Sequence, residues 1–342
     1  MNLALDLNTT WFFLVGILLT GYAILDGFDL GIGALHLFTR TDQDRRIMLN
    51  SIGPIWDGNE VWLVTGGGAL FAAFPEVYAT AFSGFYMAFM LLLFSLIFRA
   101  VAIEFRSKKD DVLWRKVWDT SFTVSSIVAA LLIGTALGNV ARGIPLDGSF
   151  EYAGSFWDIL NPYSLLIGIT VLALFMMHGA LYGIVKTEHA LQKLLTRIFR
   201  SVYFVFAAAY VFITINTFLF TPHLVQPFKA SPALFILPLL TVLLIVNIFV
   251  QHKKGRDLAA FLSSGAVIFT LMLTLGLGLY PNLLISSGDP ANSLTIYNAA
   301  SSQKTLQIML TIALIGMPLV LFYTVIIFRI FRGKVKLDKH SY

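Results

Sequence analysis

The chain of 342 residues contains no cysteine. That absence excludes disulfides, Fe–S clusters, zinc-finger sites and thioether-linked haem, all of which require the thiol. Charge is scarce as well. Only 13% of residues are Asp, Glu, Lys or Arg, against roughly 25% in soluble domains. The first thirteen residues, MNLALDLNTTWFF, carry no Lys or Arg. They lack the basic opening of a cleaved signal peptide, so the first apolar stretch reads as a retained helix. Metal ligands are equally thin. Of six histidines, no two stand at i, i+3 or i+4, the spacing that would suit copper or non-haem iron on a helix. His189, His223, His252 and His340 fall in or beside loops, and His36 near the end of the first apolar segment. His178, in FMMHGALYG, is the one placed well inside a predicted helix, and a lone histidine there reads as a hydrogen-bonded packing residue rather than a haem ligand. The chain by itself therefore offers no convincing redox centre or metal site.

What is abundant is hydrocarbon. Hydrophobic residues make up 57% of the chain, 30 of them Phe, and the mean hydropathy is +0.79. A bilayer core of about 30 Å needs roughly 20 apolar residues per helix. Nine segments qualify, near 11–38, 52–74, 77–98, 118–141, 159–186, 200–221, 231–251, 257–282 and 305–330. The expectation is an all-α integral membrane protein forming one polytopic domain over 1–342, without linkers or low-complexity tails.

Basic residues then set orientation, because cytoplasmic loops retain Lys and Arg. With the N-terminus outside, 21 of the 24 basic residues fall on inner segments. These run from Arg40, Arg45 and Arg46 to Arg329, Arg332, Lys334, Lys336 and Lys339, and include Arg99 and Arg106. Only Arg142, Lys229 and Lys304 remain outside. The pattern predicts a periplasmic N-terminus and a cytoplasmic C-terminus.

Two acidic pairs interrupt the first two spans: Asp26 and Asp29 in GYAILDGFDLGIG, and Asp57 and Glu60 in GPIWDGNEVW. A charge at bilayer depth costs at least a few kcal/mol and is kept where it faces the bundle interior, pairs, or carries ions. Each pair is spaced by three, so its members share a helix face. Asp26 lies about 22 Å below Trp11 at ~1.5 Å per residue. In a hairpin of two helices, all four acids reach similar depth on the inner side. Gly21, Gly27, Gly31 and Gly33 strip bulk from the same segment and let a neighbouring helix approach. Two uses are open: carboxylates that pass protons, or a polar site (Trp56, Asn59, Glu60) that holds a quinone head or a water chain. A structural role remains beside them, with Asp57 capping a helix start. Gly66, Gly67 and Gly68 read as a close helix contact. Arg99 with Glu104 reads as a salt-bridged interfacial pair, and Asp119, beside Trp114 and Trp118, as another interfacial ion pair.

The runs GYAILDGFDLGIGAL, RRIMLNSIGPIWDGNEVWLVTGGGALFAAFPEVYATAFSGFY (45–86), FRAVAIEFRSK (98–108), LNPYSLLIG (160–168), SLTIYNAASSQKTLQIM (293–309) and PLVLFYT (318–324) closely resemble subunit II of cytochrome bd-type quinol oxidases. WDGNEVW is the most specific of them, whereas 190–290 adds little. The resemblance implies two four-helix bundles plus one peripheral helix in a bacterial cytoplasmic membrane. It implies an enzyme that oxidises quinol and reduces dioxygen to water with protons drawn from the cytoplasm, adding to the proton gradient without pumping. Haem b and haem d would belong to a partner, the haem-bearing subunit I, with small single-span subunits as further partners and a structural quinone as a bound cofactor in some members. Carried over, Asp57 matches the proton-entry carboxylate, Asp26 and Asp29 the helix-1 acids, and Trp56 the position associated with quinone. Family members often carry Gln where Glu60 stands. Two other readings use the same carboxylates. A stand-alone proton-coupled transporter would need a midplane cavity, for which the chain offers only Thr214, Asn216 and Asn247. A purely structural membrane partner would merely pair them.

Overall fold

The computed structural model describes residues 6–337. Lys339 and His340, assigned above to the basic C-terminal flank and to a loop, lie outside the described residues, as do residues 1–5. The chain is almost entirely helical: α1 (Leu7–Leu35), α2 (Asp42–Ile52), α3 (Trp56–Ala73), α4 (Pro75–Gly84), α5 (Tyr86–Phe105), α6 (Val112–Arg142), α7 (Phe156–Ile159), α8 (Pro162–Lys186), α9 (His189–Phe220), α10 (Pro222–Ala230), α11 (Ile236–Lys253), α12 (Asp257–Leu279) and α13 (Gln303–Ile330). A two-stranded antiparallel hairpin, β1 (Asn282–Leu284) with β2 (Leu294–Thr295), sits between α12 and α13.

Side-chain caps fix several helix starts. Asp6 accepts from the Thr9 amide at 2.5 Å, and Asp111 from the Trp114 amide at 2.6 Å. Asn161 accepts from the Ser164 amide at 2.9 Å, with Pro162 following it. Each satisfies an amide that the first turn leaves without a helical partner. At the far end of α6 the chain turns out at Gly143, whose φ of +92° suits glycine.

Eight helices are long and apolar enough to cross a membrane: α1, α5, α6, α8, α9, α11, α12 and α13, three of them with short extensions. The protein is a multi-pass membrane protein. The segment expected at 52–74 differs. Its first residue, Ile52, closes α2, a turn follows at 53–55, and the helix proper, α3, has 18 residues. Asp57, Asn59 and Glu60 dilute its apolar character. The segment expected at 77–98 is also divided: α4 ends at Gly84, and after a break at Phe85 a new helix runs to Phe105. The strands at 282–284 and 294–295 fall in a stretch the sequence reads only as loop.

α1 is the central element. It packs on α3, α6, α8 and α12, while α8 also holds α6 and α9, and α11 pairs with α12. Its glycines make this closeness possible. A Cβ on Gly31 would stand 1.9 Å from the carbonyl oxygen of Phe175, and one on Gly33 2.0 Å from Ser126 Oγ. Apart from Leu306, α13 buries no residue and rests lightly on α1 and α3.

Candidate functional site

α1 brings its two aspartates to one depth but aims them at different helices. Asp26 has no exposed surface and accepts two hydrogen bonds from Arg99 of α5, from Nη1 at 2.8 Å and Nη2 at 2.7 Å. Arg99, equally buried, extends a third contact from Nη2 to Glu60 Oε2 at 3.2 Å. The expected Arg99–Glu104 pair is therefore corrected: Arg99 turns inward. A guanidinium several residues inside a helix end gains more from a two-pronged carboxylate than from a surface contact screened by water.

Asp29 is also fully buried. Its Oδ2 accepts from Asn59 Nδ2 at 2.8 Å, and its Oδ1 has no hydrogen-bond partner among the described residues. Asn59 also donates to the Leu25 carbonyl at 3.3 Å. Its amide thus clips α3 to α1.

Asp57 is exposed, in the first turn of α3. With Gly58, Asn59, Trp62, Tyr323 and Thr324 it lines a cavity of about 300 Å³ between α1, α3 and α13. No side-chain cap closes the start of α3, whose N-cap is Ile55, so the capping role is corrected. Trp56 is half-buried and packs on the hydrophobic core. The sequence-predicted residues Asp26, Asp29, Asn59 and Glu60 thus meet around Arg99, with Asp57 at their rim and Trp56 beside them. Arg99 is the member that sequence reasoning missed. The signal was there, a lone cation inside FSLIFRAVAI.

A second buried cluster lies where α1, α2, α5 and α6 meet. Asp119, 1% exposed, binds His36 Nε2 at 2.6 Å, Arg45 Nη1 at 2.8 Å and Arg106 Nε at 2.5 Å. Arg106 also reaches Asp42 at 2.7 Å. The interfacial reading of Asp119 is corrected: it is a buried hub tying four segments.

Gly66 packs against Leu18 and Leu19, but a Cβ on Gly67 or Gly68 would meet nothing within 4 Å. The expected glycine contact is therefore confined to one residue. His178 has both ring nitrogens engaged, Nδ1 with Ser264 Oγ at 2.6 Å and Nε2 with the Ile24 carbonyl at 3.0 Å. That leaves none to ligate iron, and His178 is a packing residue. Among the described residues, no group of three or more His, Asp or Glu is placed to hold a metal.

A second cavity, about 330 Å³, lies between α1, α6, α8, α9, α10, α11 and α12 and is walled mostly by hydrocarbon. Of the three polar residues a transporter would use, Thr214 lines it but bonds the Tyr210 carbonyl at 2.7 Å. Asn216 bonds the Phe212 carbonyl, and Asn247 bonds Ser263. Neither asparagine lines that cavity.

Comparison with known proteins agrees with the resemblance. The family model for cytochrome bd terminal oxidase subunit II matches residues 7–331. The chain is 37% identical to cytochrome bd-I ubiquinol oxidase subunit 2 of Escherichia coli (strain K12) over 350 residues, 93% of this chain and 92% of the relative. It is 34% identical to cytochrome bd ubiquinol oxidase subunit 2 of Bacillus subtilis (strain 168), across 96% and 97% of the two chains. A chain in the structure of bd oxidase from Geobacillus thermodenitrificans shares the fold, with a TM-score of 0.80 at 15% identity, over 95% of this chain and 98% of that one. With the family's sequence running from the first helix to the last, this chain belongs to the cytochrome bd terminal oxidase subunit II family.

Proposed function

We propose that this chain is the haem-free subunit II of a bd-type terminal oxidase in a bacterial cytoplasmic membrane. It supports a haem-bearing subunit I and supplies that partner with protons from the cytoplasm. The partner would hold haem b and haem d, which carry the electron transfer from quinol to dioxygen. Small single-span subunits join this pair as further partners. The residues of this chain bind, position and move protons. Water formation that consumes cytoplasmic protons builds a gradient without a pump. Nine spans, with α3 counted as the second, put the N-terminus in the periplasm and the C-terminus in the cytoplasm.

The observation that carries this reading is the placement of Asp57, Asn59 and Asp29. An exposed carboxylate on a cavity stands two residues before an asparagine that lines the same cavity and touches a fully buried carboxylate with an open oxygen. One guanidinium, Arg99, pairs with Asp26 and Glu60, while Asp29 beside them is bonded by Asn59. Leaving all three ionised would bury two uncompensated charges, which a low-dielectric interior resists. Protons relieve it, and a set of acids that must share protons is suited to passing them on. Asp57, Asp29 and Asp26 form the relay in this reading, with Asp57 as the entry. Trp56, Asn59 and Glu60 were the candidates for a quinone head or a water chain. Because both Asn59 amide hydrogens are committed to Asp29 and Leu25, the water chain is the use we favour.

The test is Asp57→Asn in the complex with subunit I. Oxygen uptake with quinol should fall by about 10²-fold, the lower end of what a positioned proton-transfer group supplies, while haem content and assembly stay normal. Full turnover would rule out Asp57 as the entry and favour a purely structural subunit.

A further inference from the structure

We propose that Glu60 is the acid that loads and releases protons in this cluster, and that Asp26 with Arg99 forms its fixed electrostatic anchor. The proposal rests on the proton-delivery reading above and changes it at one point: Glu60 takes the place of Asp26 in the relay, and Asp26 holds Arg99 instead of carrying a proton.

The three carboxylates around Arg99 are held in different ways. Asp26 takes one hydrogen bond from each terminal nitrogen of the guanidinium, at 2.7 and 2.8 Å, with no exposure to solvent. A proton on Asp26 would remove one of these bonds and leave the buried cation with only its looser charged contact to Glu60. Glu60 shares Nη2 alone, through one oxygen at 3.2 Å, and its side chain keeps 20% of its surface exposed. It can lose that contact while Asp26 still holds both terminal nitrogens of Arg99. Glu60 is therefore the carboxylate whose protonation costs the cluster least.

Position agrees with this division. Asp57 precedes Glu60 by three residues on α3, so the two stand on neighbouring points of one helix face. Asp57 lines the cavity of about 300 Å³, and Glu60 lies one turn deeper. Beyond it, Asp29 presents its unpartnered Oδ1. The charged and titratable groups around Glu60 are Arg99 of α5, Asp26, Asp29 and Tyr22 of α1, and Asp57 of α3. Tyr323 of α13 faces the cavity itself.

In the proposed step, the ionised Glu60 carboxylate takes one proton from the Asp57 carboxyl or from water and releases its contact with Arg99. Handing that proton inward, toward Asp29, restores the carboxylate and the contact. One proton enters and one leaves, and no electrons move.

The experiment uses the assembled complex with subunit I and compares Glu60→Gln, Asp26→Asn and Asp57→Asn. Oxygen uptake is recorded against quinol concentration and pH, alongside haem content and thermal melting. Glu60→Gln keeps the shape and removes the titrating group. It should lower kcat most at alkaline pH, by about 10²-fold, with KM for quinol unchanged, and Glu60→Asp should recover part of the rate. Asp26→Asn should reduce the yield and melting temperature of the complex and leave the pH profile of the surviving molecules intact. Wild-type kcat and pH profile in Glu60→Gln, with Asp57→Asn stalled, would overturn the proposal and leave the delivery reading standing. Full turnover in Asp57→Asn would remove the delivery reading itself. An intact, fully assembled Asp26→Asn complex with a shifted pH profile would make Asp26 the carrier and also overturn the proposal. Should Glu60→Gln fail to assemble, Glu60→Asp decides: a changed pH profile supports the assignment, and an unchanged one overturns it.

Discussion

At the scale of the residue, two aspartates three positions apart do different work. Asp26 is bound at both oxygens by Arg99, whereas Asp29 takes one bond from Asn59 and keeps one oxygen open. Their spacing places them on one face in the sequence, but a helix face about 60° wide can meet two neighbours. Here Asp26 looks toward α5 and Asp29 toward α3. Removing one partner of a buried ion pair is strongly destabilising, because the other charge is left without compensation. Asp26→Asn should therefore cost about 3–5 kcal/mol, visible as a lower melting temperature and less assembled complex. An unchanged melting temperature would mean that Arg99 finds another partner.

At the scale of the element, α1 is built to be approached. Gly31 admits the backbone of α8, since its Cβ position lies 1.9 Å from a carbonyl oxygen that cannot move independently of its helix. Gly31→Ala should force α1 and α8 apart, costing about 1–3 kcal/mol or more as an overpacked core. Gly67→Ala, in open space, should leave the melting temperature unchanged or slightly raised, because alanine is the better helix former. Equal losses from the two substitutions, measured by thermal unfolding in detergent, would contradict this account of the contact. The glycines of α1 were legible as a packing stripe. The triplet at Gly66 to Gly68 was not, because composition alone does not tell which side of a helix has a neighbour. The Asp119 hub was also out of reach of sequence reading. Its partners His36, Arg45 and Arg106 come from the turn after α1, from α2 and from the turn after α5, and only the packed bundle brings them together.

At the scale of the whole molecule, the uneven distribution of basic residues predicts which end faces the cytoplasm. The absence of cysteine makes this directly testable, since any introduced thiol is unique. Ser149→Cys, in the exposed loop after α6, should react with a membrane-impermeant maleimide in intact cells stripped of their outer barrier. Lys109→Cys, exposed at the opposite end before α6, should react only after the membrane is opened. The reverse pattern would invert the topology and move the acid cluster to the periplasmic side.

The sequence by itself determined the class of molecule, the approximate helices and the acids at shared depth. Those properties follow from local terms: the length of apolar runs, the cost of charge in hydrocarbon and the spacing of residues along one helix. Tertiary structure alone decided who holds whom: Arg99 on Asp26 and not on Glu104, Asn59 on Asp29, and Glu60 at the loose edge of the ion pair. Hydropathy ranks residues by their cost in lipid and is blind to azimuth. The partner of a buried charge depends on the rotation of each helix about its axis, which is set by packing against neighbours distant in the chain.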